Sequence, residues 1–262
     1  MLAKVRAFFA ERDILEVDTN LLRPAPSIDA TIDPIKTPYG YLITSPEYAM
    51  KTLLSQGSGD IYQLSHVFRA NEHGPWHAIE FTMIEYYRLH MPLSTFMDEV
   101  AQLIRLFTGP QPIQKLTYDE ALATFPEPDL PPNPSWDHDT ALNYRFAHIE
   151  PHLGQDNLTI ITDYPLTQSA LAQTTTHAQR FEIYHRGVEL CNGYLELTDP
   201  IEYRRRLSAQ NTLREAPLPL DEDFLTSLNL PPCCGVAIGF DRLLALHQNT
   251  DSIHADLTLT TN

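Results

Sequence analysis

The feature that most narrows the folds open to this chain is a strand–loop–strand pattern carrying an unusual set of side chains. Residues 61–68 and 81–88 both read as strands, joined by a loop over 70–79. Phe68-Arg69-Ala70-Asn71-Glu72 ends the first strand, His77 lies in the loop, and Glu80-Phe81-Thr82-Met83-Ile84-Glu85-Tyr86-Tyr87 makes the second. Phe81, Met83, Glu85 and Tyr87 share one face, because successive strand residues point to opposite sides. Far downstream, Gly235-Val236-Ala237-Ile238-Gly239-Phe240-Asp241-Arg242 supplies a second arginine. Arginine offers a planar fork that pairs two phosphate oxygens at once. An aromatic ring can cover a purine face, and a guanidinium can cover the other. For an isolated strand the blander reading is Phe81 and Tyr87 in the core and Glu85 solvated or paired.

Periodicity places the other elements. Leu2, Val5, Phe8 and Phe9 fall on one helical face, so residues 2–12 read as an amphipathic helix, followed by strand-like alternation over 15–19. Thr44-Ser45-Pro46-Glu47 opens a helix, and Glu47 fits a capping box as well as a binding role. Residues 94–107 form a helix with Phe96, Met97, Val100, Leu103, Ile104 and Phe107 as its apolar stripe. From 108 to 157 the chain changes character. Eight of its 21 prolines fall there, and we read a variable insertion with little regular structure beyond a helix near 118–124 and no catalytic chemistry. A strand resumes over 158–162. Without repeated βαβ units, this order predicts an α+β fold: one domain over 1–262, an antiparallel sheet flanked by helices.

Composition excludes some functions. Eighteen basic against 34 acidic residues give a net charge of -16, which disfavours a nucleic-acid binder. The one basic run, Arg204-Arg205-Arg206, reads most simply as a solvated helix face. Cys191, Cys233 and Cys234 match no metal or disulfide spacing, so reduced thiols in a cytoplasmic protein are expected. The N-terminus does not read as a signal peptide, and no membrane span is predicted.

A second acidic segment runs Phe181-Glu182-Ile183-Tyr184-His185-Arg186-Gly187-Val188-Glu189. A two-residue turn at His185-Arg186 would set Glu182 directly opposite Glu189. Facing like charges destabilise a sheet, and a divalent cation would relieve them. A solvent-facing acidic pair is the other reading. Glu189 and Glu196 have opposite strand parity, so both can face one pocket only if the strand bulges; Asn192-Gly193 is a plausible place.

The Arg69 and Arg242 segments together resemble motif 2 and motif 3 of class II aminoacyl-tRNA synthetases, specifically the lysyl branch. Residues 12–19 resemble motif 1, the dimer element, with Asn20 where Pro is usual. Glu189-Leu190-Cys191-Asn192-Gly193-Tyr194-Leu195-Glu196-Leu197 resembles the branch's glutamate-x-x-Asn-Gly-aromatic-x-Glu-Leu segment. The resemblance implies catalytic, ATP-binding roles for Arg69 on the α-phosphate and Arg242 on the phosphate tail and adenine edge. It implies further ATP contacts from Asn71, His77, Phe81 and Glu189, with Glu182 and Glu189 holding magnesium. Glu85, Tyr87 and Glu196 would bind a side-chain ammonium and Glu47 the α-amino group, with Ser45, Asn192 and Ala237 completing the amino-acid pocket.

Motif 1 begins almost at Met1, so no anticodon-binding domain is expected. The segments Ser45-Pro46-Glu47-Tyr48, Gln168-Ser169-Ala170-Leu171-Ala172 and Gly187-Val188-Glu189-Leu190 are similar to those of the branch's free-standing paralogues. Those paralogues activate (R)-β-lysine and transfer it to elongation factor P. Ala237, where synthetases usually have Gly, matches their pattern. The implied partners are elongation factor P, (R)-β-lysine or lysine, ATP and a second copy of the chain, but not tRNA. The chain departs from the branch at Asn71, where Glu is usual, and at Ala78-Ile79, where Asn-Pro is usual. A lysine-activating ligase with another acceptor, and a non-catalytic ATP- or amino-acid-binding regulator, remain the alternatives.

Overall fold

The computed structural model describes residues 1–125, 133 and 135–254. In chain order the elements are α1 (Leu2–Ala10), β1 (Leu15–Glu16), β2 (Leu22–Arg23), β3 (Lys36–Thr37), β4 (Gly40–Leu42), α2 (Glu47–Ser55), β5 (Ile61–Phe68), β6 (Glu80–Leu89), α3 (Leu93–Thr108), β7 (Ile113–Thr117), α4 (Tyr118–Thr124), α5 (His138–Ile149), β8 (Leu158–Thr162), β9 (Arg180–His185), β10 (Val188–Leu195), α6 (Pro200–Thr212), α7 (Glu222–Ser227), β11 (Cys233–Gly239) and α8 (Phe240–His247).

Eight strands form one sheet in the order β1-β5-β6-β11-β10-β9-β8-β7, and β2, β4 and β3 form a small second sheet. The central pairings are antiparallel, as the element order predicts, but both outermost pairings, β1 with β5 and β7 with β8, are parallel. Helices α4 and α5 stand between β7 and β8, and α2 lies between β1 and β5, so each parallel pair has the long crossover it requires.

Strand alternation sorts side chains between the two faces. Tyr86, Val236 and Ile238 join Phe9, Phe96, Val100, Leu103 and Phe240 in the larger core, under α1, α3 and α8. Tyr87 and Cys233, one residue out of phase, join Tyr48, Leu54, Tyr203, Leu207 and Phe224 on the other face, against α2, α6 and α7. Phe96 is completely buried; its removal is expected to cost about 3–5 kcal/mol. The second face is only partly covered, and the uncovered part is a cleft of about 690 Å³.

Three local expectations are corrected. The segment 108–157 holds more regular structure than its prolines suggest, namely β7 and α5 besides α4. Asp137 caps α5 by accepting from Thr140 N–H at 2.7 Å, and only Phe146 and Ile149 of that helix are buried, which is why its pattern is faint. Pro126, Pro128, Pro131, Pro132 and Pro134 lie outside the described residues. The capping box at Glu47 does not form. Pro46 is the N-cap, Ser45 Oγ accepts from Glu47 N–H at 3.0 Å, and the Glu47 carboxylate turns to Lys51, one helical turn on. A charged donor outcompetes a backbone amide.

The β9–β10 turn is Arg186-Gly187, not His185-Arg186: His185 pairs with Val188 and Tyr184 with Glu189. Both turn residues have positive φ, 51° and 72°, the conformation that tight hairpins of this hand need. Asn192, not Glu189, therefore lies opposite Glu182. A bulge between Glu189 and Cys191 restores the phase, one step earlier than expected; Asn192-Gly193 pairs regularly. Glu189, Asn192, Tyr194 and Glu196 consequently all reach the cleft.

Candidate active site

The cleft floor is built from β6, β11, β10 and β9. From β6 come Phe81, Met83, Glu85 and Tyr87, and from β11 Ala237, whose register partners are Glu85 on one side and Asn192 on the other. The loop before α2 and the helix itself add Ser45 and Glu47; the β5–β6 loop adds Arg69, Glu72 and His77; α8 adds Arg242. Asn71 does not line the cleft: it is exposed, with φ of 64°, and leans toward Asp33. Its neighbour Glu72 occupies the wall instead.

One end is cationic. Arg242 is held in a fan: Nε donates to Trp76 O at 3.1 Å, Nη1 to Glu189 O at 2.7 Å, and Nη2 meets His77 Nε2 at 3.0 Å. As a guanidinium only donates, His77 Nε2 accepts and the ring is neutral. Burial and the adjacent Arg242 charge push the His77 pKa below its ordinary value. Asp241 Oδ2 accepts from Thr82 N–H at 2.7 Å and so fixes the start of α8 against β6. Arg69 lies over Phe81, 5.1 Å from the ring centroid, and donates to Thr44 O at 3.4 Å. Burial lowers its pKa, yet guanidinium stays charged.

The other end is acidic and closed. Glu85 is 3% exposed and Glu196 2%. Ser45 Oγ and Tyr87 OH each donate to Glu85 at 2.6 Å. Lys51, absent from the sequence expectations, donates to Glu47 at 2.6 Å and to Glu196 at 2.7 Å. Burial, reinforced by the Glu47 charge, pushes the Glu85 pKa up to about 7. Burial also brings Glu196 to about 7 against the pull of Lys51. Gly235 makes this packing possible, because a Cβ there would collide with Glu196 Oε1 and the Tyr87 ring.

A third cluster lies on β9 and β10. Glu182 is buried and accepts from Tyr164 OH at 2.6 Å, from Tyr184 OH and from Arg180 Nη2. Arg180 also donates to Asn192 Oδ1 at 3.2 Å and to Gln168 O at 2.8 Å, with its guanidinium 4.4 Å from the Tyr164 centroid. Tyr184 OH reaches Glu150 as well, at 3.3 Å. Burial, then the charges of Glu182 and Glu189, raise Glu150 to about 7. Burial likewise raises Glu189, whose carboxylate faces Arg242 at 3.5 Å. These carboxylates are hard oxygen donors of the kind magnesium takes beside phosphate and water, although among the described residues no group of three or more His, Cys, Asp or Glu is placed to hold an ion by itself. Glu189 is the accessible member, while Glu182 is held by its tyrosines and arginine.

Sequence reasoning missed Lys51, Arg180, Glu150 and Glu72. Two carried a signal: Lys51 stands four residues after Glu47 on one helix, and Arg180 two residues before Glu182 on one strand. The Arg204-Arg205-Arg206 run is partly neutralised by two acids, Arg204 pairing with Glu222 and both Arg205 and Arg206 with Glu202. Only its first two members form the expected solvated face, because Arg206 is largely buried beside the cleft. The three cysteines are free and buried. Among the described residues, no helix is long and apolar enough to cross a membrane.

This fold and cleft agree with comparison to known proteins. The chain belongs to the class II tRNA synthetases of the D, K and N group, whose family model matches residues 1–259. It is 36% identical, over 293 aligned positions, to the elongation factor P--(R)-beta-lysine ligase of Salmonella dublin, covering 97% of this chain and 90% of that protein. The protein of the same name from Hamiltonella defensa is also 36% identical, over 294 positions, with the same coverage.

Proposed function

We propose that this protein activates (R)-β-lysine, or lysine, with ATP and transfers the aminoacyl group to a lysine side chain of elongation factor P. The observation that carries this reading is one cleft with two arginines at one end and three carboxylates, Glu47, Glu85 and Glu196, at the other. Such a cleft suits a reaction that joins an anionic triphosphate to a cationic amino acid. The relatives' name supplies the acceptor and the β-isomer.

The amino acid lies with its ammonium groups against Glu47, Glu85, Tyr87 and Glu196, and its carboxylate toward Asn192, facing the α-phosphate that Arg69 binds. Ser45 keeps Glu85 in place, and Ala237 forms the floor between them. Phe81 stacks on adenine, and Arg242 covers the opposite edge and the phosphate tail with His77; Glu72 takes the adenine-side position that Asn71 does not reach. Glu189, with Glu182 beside it, would hold magnesium, which would supply charge neutralisation for the phosphates. In the first step a carboxylate oxygen of the amino acid attacks the α-phosphorus, the bond to the bridging oxygen breaks, and pyrophosphate leaves. Arg69 stabilises the charge that develops on the α-phosphate oxygens. In the second step the ε-amine of the acceptor attacks the carbonyl carbon of the mixed anhydride and AMP departs. No protein nucleophile is required.

A net charge of -16, with the basic run paired to acids, supports a protein acceptor over tRNA. Homodimerisation is part of the proposal, supported by exposed Leu15 on the edge strand β1 and exposed Leu2 on α1, and a cytoplasmic setting agrees with the free cysteines.

The test is to incubate the protein with ATP, (R)-β-lysine and elongation factor P and to follow the acceptor by intact mass. A gain of one lysyl unit, absent when the acceptor lysine is replaced by arginine, is expected. Amino-acid activation without modification of the factor would point to another acceptor. ATP binding with no activation would replace the ligase by a non-catalytic regulator.

A further inference from the structure

The acidic end of the cleft contains a cation of its own. Lys51 is 0% exposed. Its Nζ lies 2.6 Å from Glu47 Oε1 and 2.7 Å from Glu196 Oε2, with Tyr203 OH at 3.4 Å and the Tyr203 and Tyr87 ring centroids at 5.3 and 6.0 Å. Burial works against this charge, but Glu196 and Glu47 hold the pKa of Lys51 well above its ordinary value. It is therefore a fixed ammonium. The third carboxylate, Glu85, receives only neutral donors, the hydroxyls of Ser45 and Tyr87. Among the described residues, Glu47 Oε2 and Glu196 Oε1 take no hydrogen bond.

The count that follows is simple. When ionised, three carboxylates against one buried ammonium leave the subsite two positive charges short, a deficit that a ligand or protons must fill. An uncompensated charge in such a place is expensive. We propose that Lys51 is a specificity-determining residue, which sets this deficit at two so that an amino acid with two ammonium groups neutralises the subsite and a monoamine does not. This rests on the ligase reading above. Lysine and (R)-β-lysine each carry two ammonium groups; norleucine, of similar length, carries one and leaves a carboxylate unmatched. Without Lys51 the deficit would be three, to be filled by protons. Without one carboxylate but with Lys51 in place it would be one, and the buried ammonium would repel the second ammonium of the ligand.

That last consequence gives the test, because it predicts rescue by a second loss. Glu196→Gln, Lys51→Met and the double variant are compared with the wild type in the full-length protein, using calorimetric titration with L-lysine, (R)-β-lysine and norleucine. ATP affinity is measured alongside as a check on the rest of the cleft. Glu196→Gln is expected to weaken binding of both diamino acids by roughly 100-fold. Adding Lys51→Met should restore the deficit of two and recover at least about tenfold of that loss. A residue that only packs the pocket predicts the opposite, a double variant worse than the single one. A folded double variant that retains ATP affinity but binds lysine no better than Glu196→Gln overturns the proposal. If the double variant does not fold, Lys51→Arg decides. Conserving the charge should keep the preference for lysine over norleucine within about threefold of wild type, and loss of that preference with ATP affinity intact rejects the idea. If the wild type binds neither diamino acid, the ligase reading itself fails; wild-type binding without rescue rejects only the role of Lys51.

Discussion

The two ends of the cleft carry opposite charges and are built on opposite principles. At the acidic end, Lys51, Glu85 and Glu196 are sealed from water, hydrogen-bonded to one another or to hydroxyls, and only partly balanced in charge. At the cationic end, Arg69 and Arg242 are oriented by backbone carbonyls and by a neutral histidine, and the Glu189 carboxylate, 3.5 Å from Arg242, offsets only part of the charge. A sealed pocket gives discrimination, because an unmatched buried charge is costly. In the proposed reaction, oriented and only partly neutralised cations would stabilise developing negative charge with little reorganisation. Selection and chemistry are thus assigned to different walls, and substitutions should separate them.

The largest separation is expected from Arg69→Ala. Amino-acid-dependent turnover should fall by roughly 100- to 1000-fold, while lysine binding measured by calorimetry stays within about threefold. Equal losses in both would erase the contrast between the ends. Glu196→Gln should do the reverse, weakening lysine by about 2 kcal/mol or more while leaving ATP affinity unchanged.

Gly235→Ala tests the seal itself. The new methyl would meet Glu196 Oε1 and Tyr87, so thermal unfolding should show a loss of about 1–3 kcal/mol, with weaker lysine binding. If the variant melts like the wild type, the pocket is looser than described.

The smallest effect is a pH dependence. Burial places Glu85 and Glu196 near 7 in the folded, empty protein, above their ordinary value of 4.5. Between about 4.5 and 7 the folded state therefore holds protons that the unfolded chain has released, so these groups make folding less favourable as pH rises through that window. A dicationic ligand binds the ionised forms, so lysine affinity should rise from pH 6 to pH 8, by at most about tenfold per unit per group. Glu85→Gln should flatten this slope. A flat wild-type profile would show that both carboxylates are already ionised in the empty pocket.

Legibility from sequence followed pattern length. The strands at 61–68 and 158–162 and the helix behind Phe96 and Phe107 stand where the sequence places them, the strands as apolar runs buried on both faces and the helix as a long one-sided stripe. The shared face of Phe81, Met83, Glu85 and Tyr87 was equally readable from strand parity. The hairpin register was not. It depended on whether Arg186 would accept a left-handed backbone, and it does, with φ of 51°. Glu189 pairs with Tyr184, two residues from Glu182 and on the same face, so Glu182 and Glu189 still face one cleft although they are not opposite one another, and the bulge brings Asn192 and Glu196 to that face. Lys51 was hidden for a different reason: a Glu–Lys pair four residues apart on a helix is an ordinary surface arrangement, and only tertiary packing under Tyr203 and Tyr87 buries it. Glu150 and α5 were masked by the proline-rich composition around them.

The central claim is that the cleft joins a cationic amino acid to ATP. Exchange of labelled pyrophosphate into ATP tests it most directly, with (R)-β-lysine, L-lysine or no amino acid added, and Arg69→Ala as the control. The account predicts strong exchange that depends on a diamino acid and is lost in the arginine variant. A folded protein that binds ATP yet shows no exchange with either amino acid would contradict it.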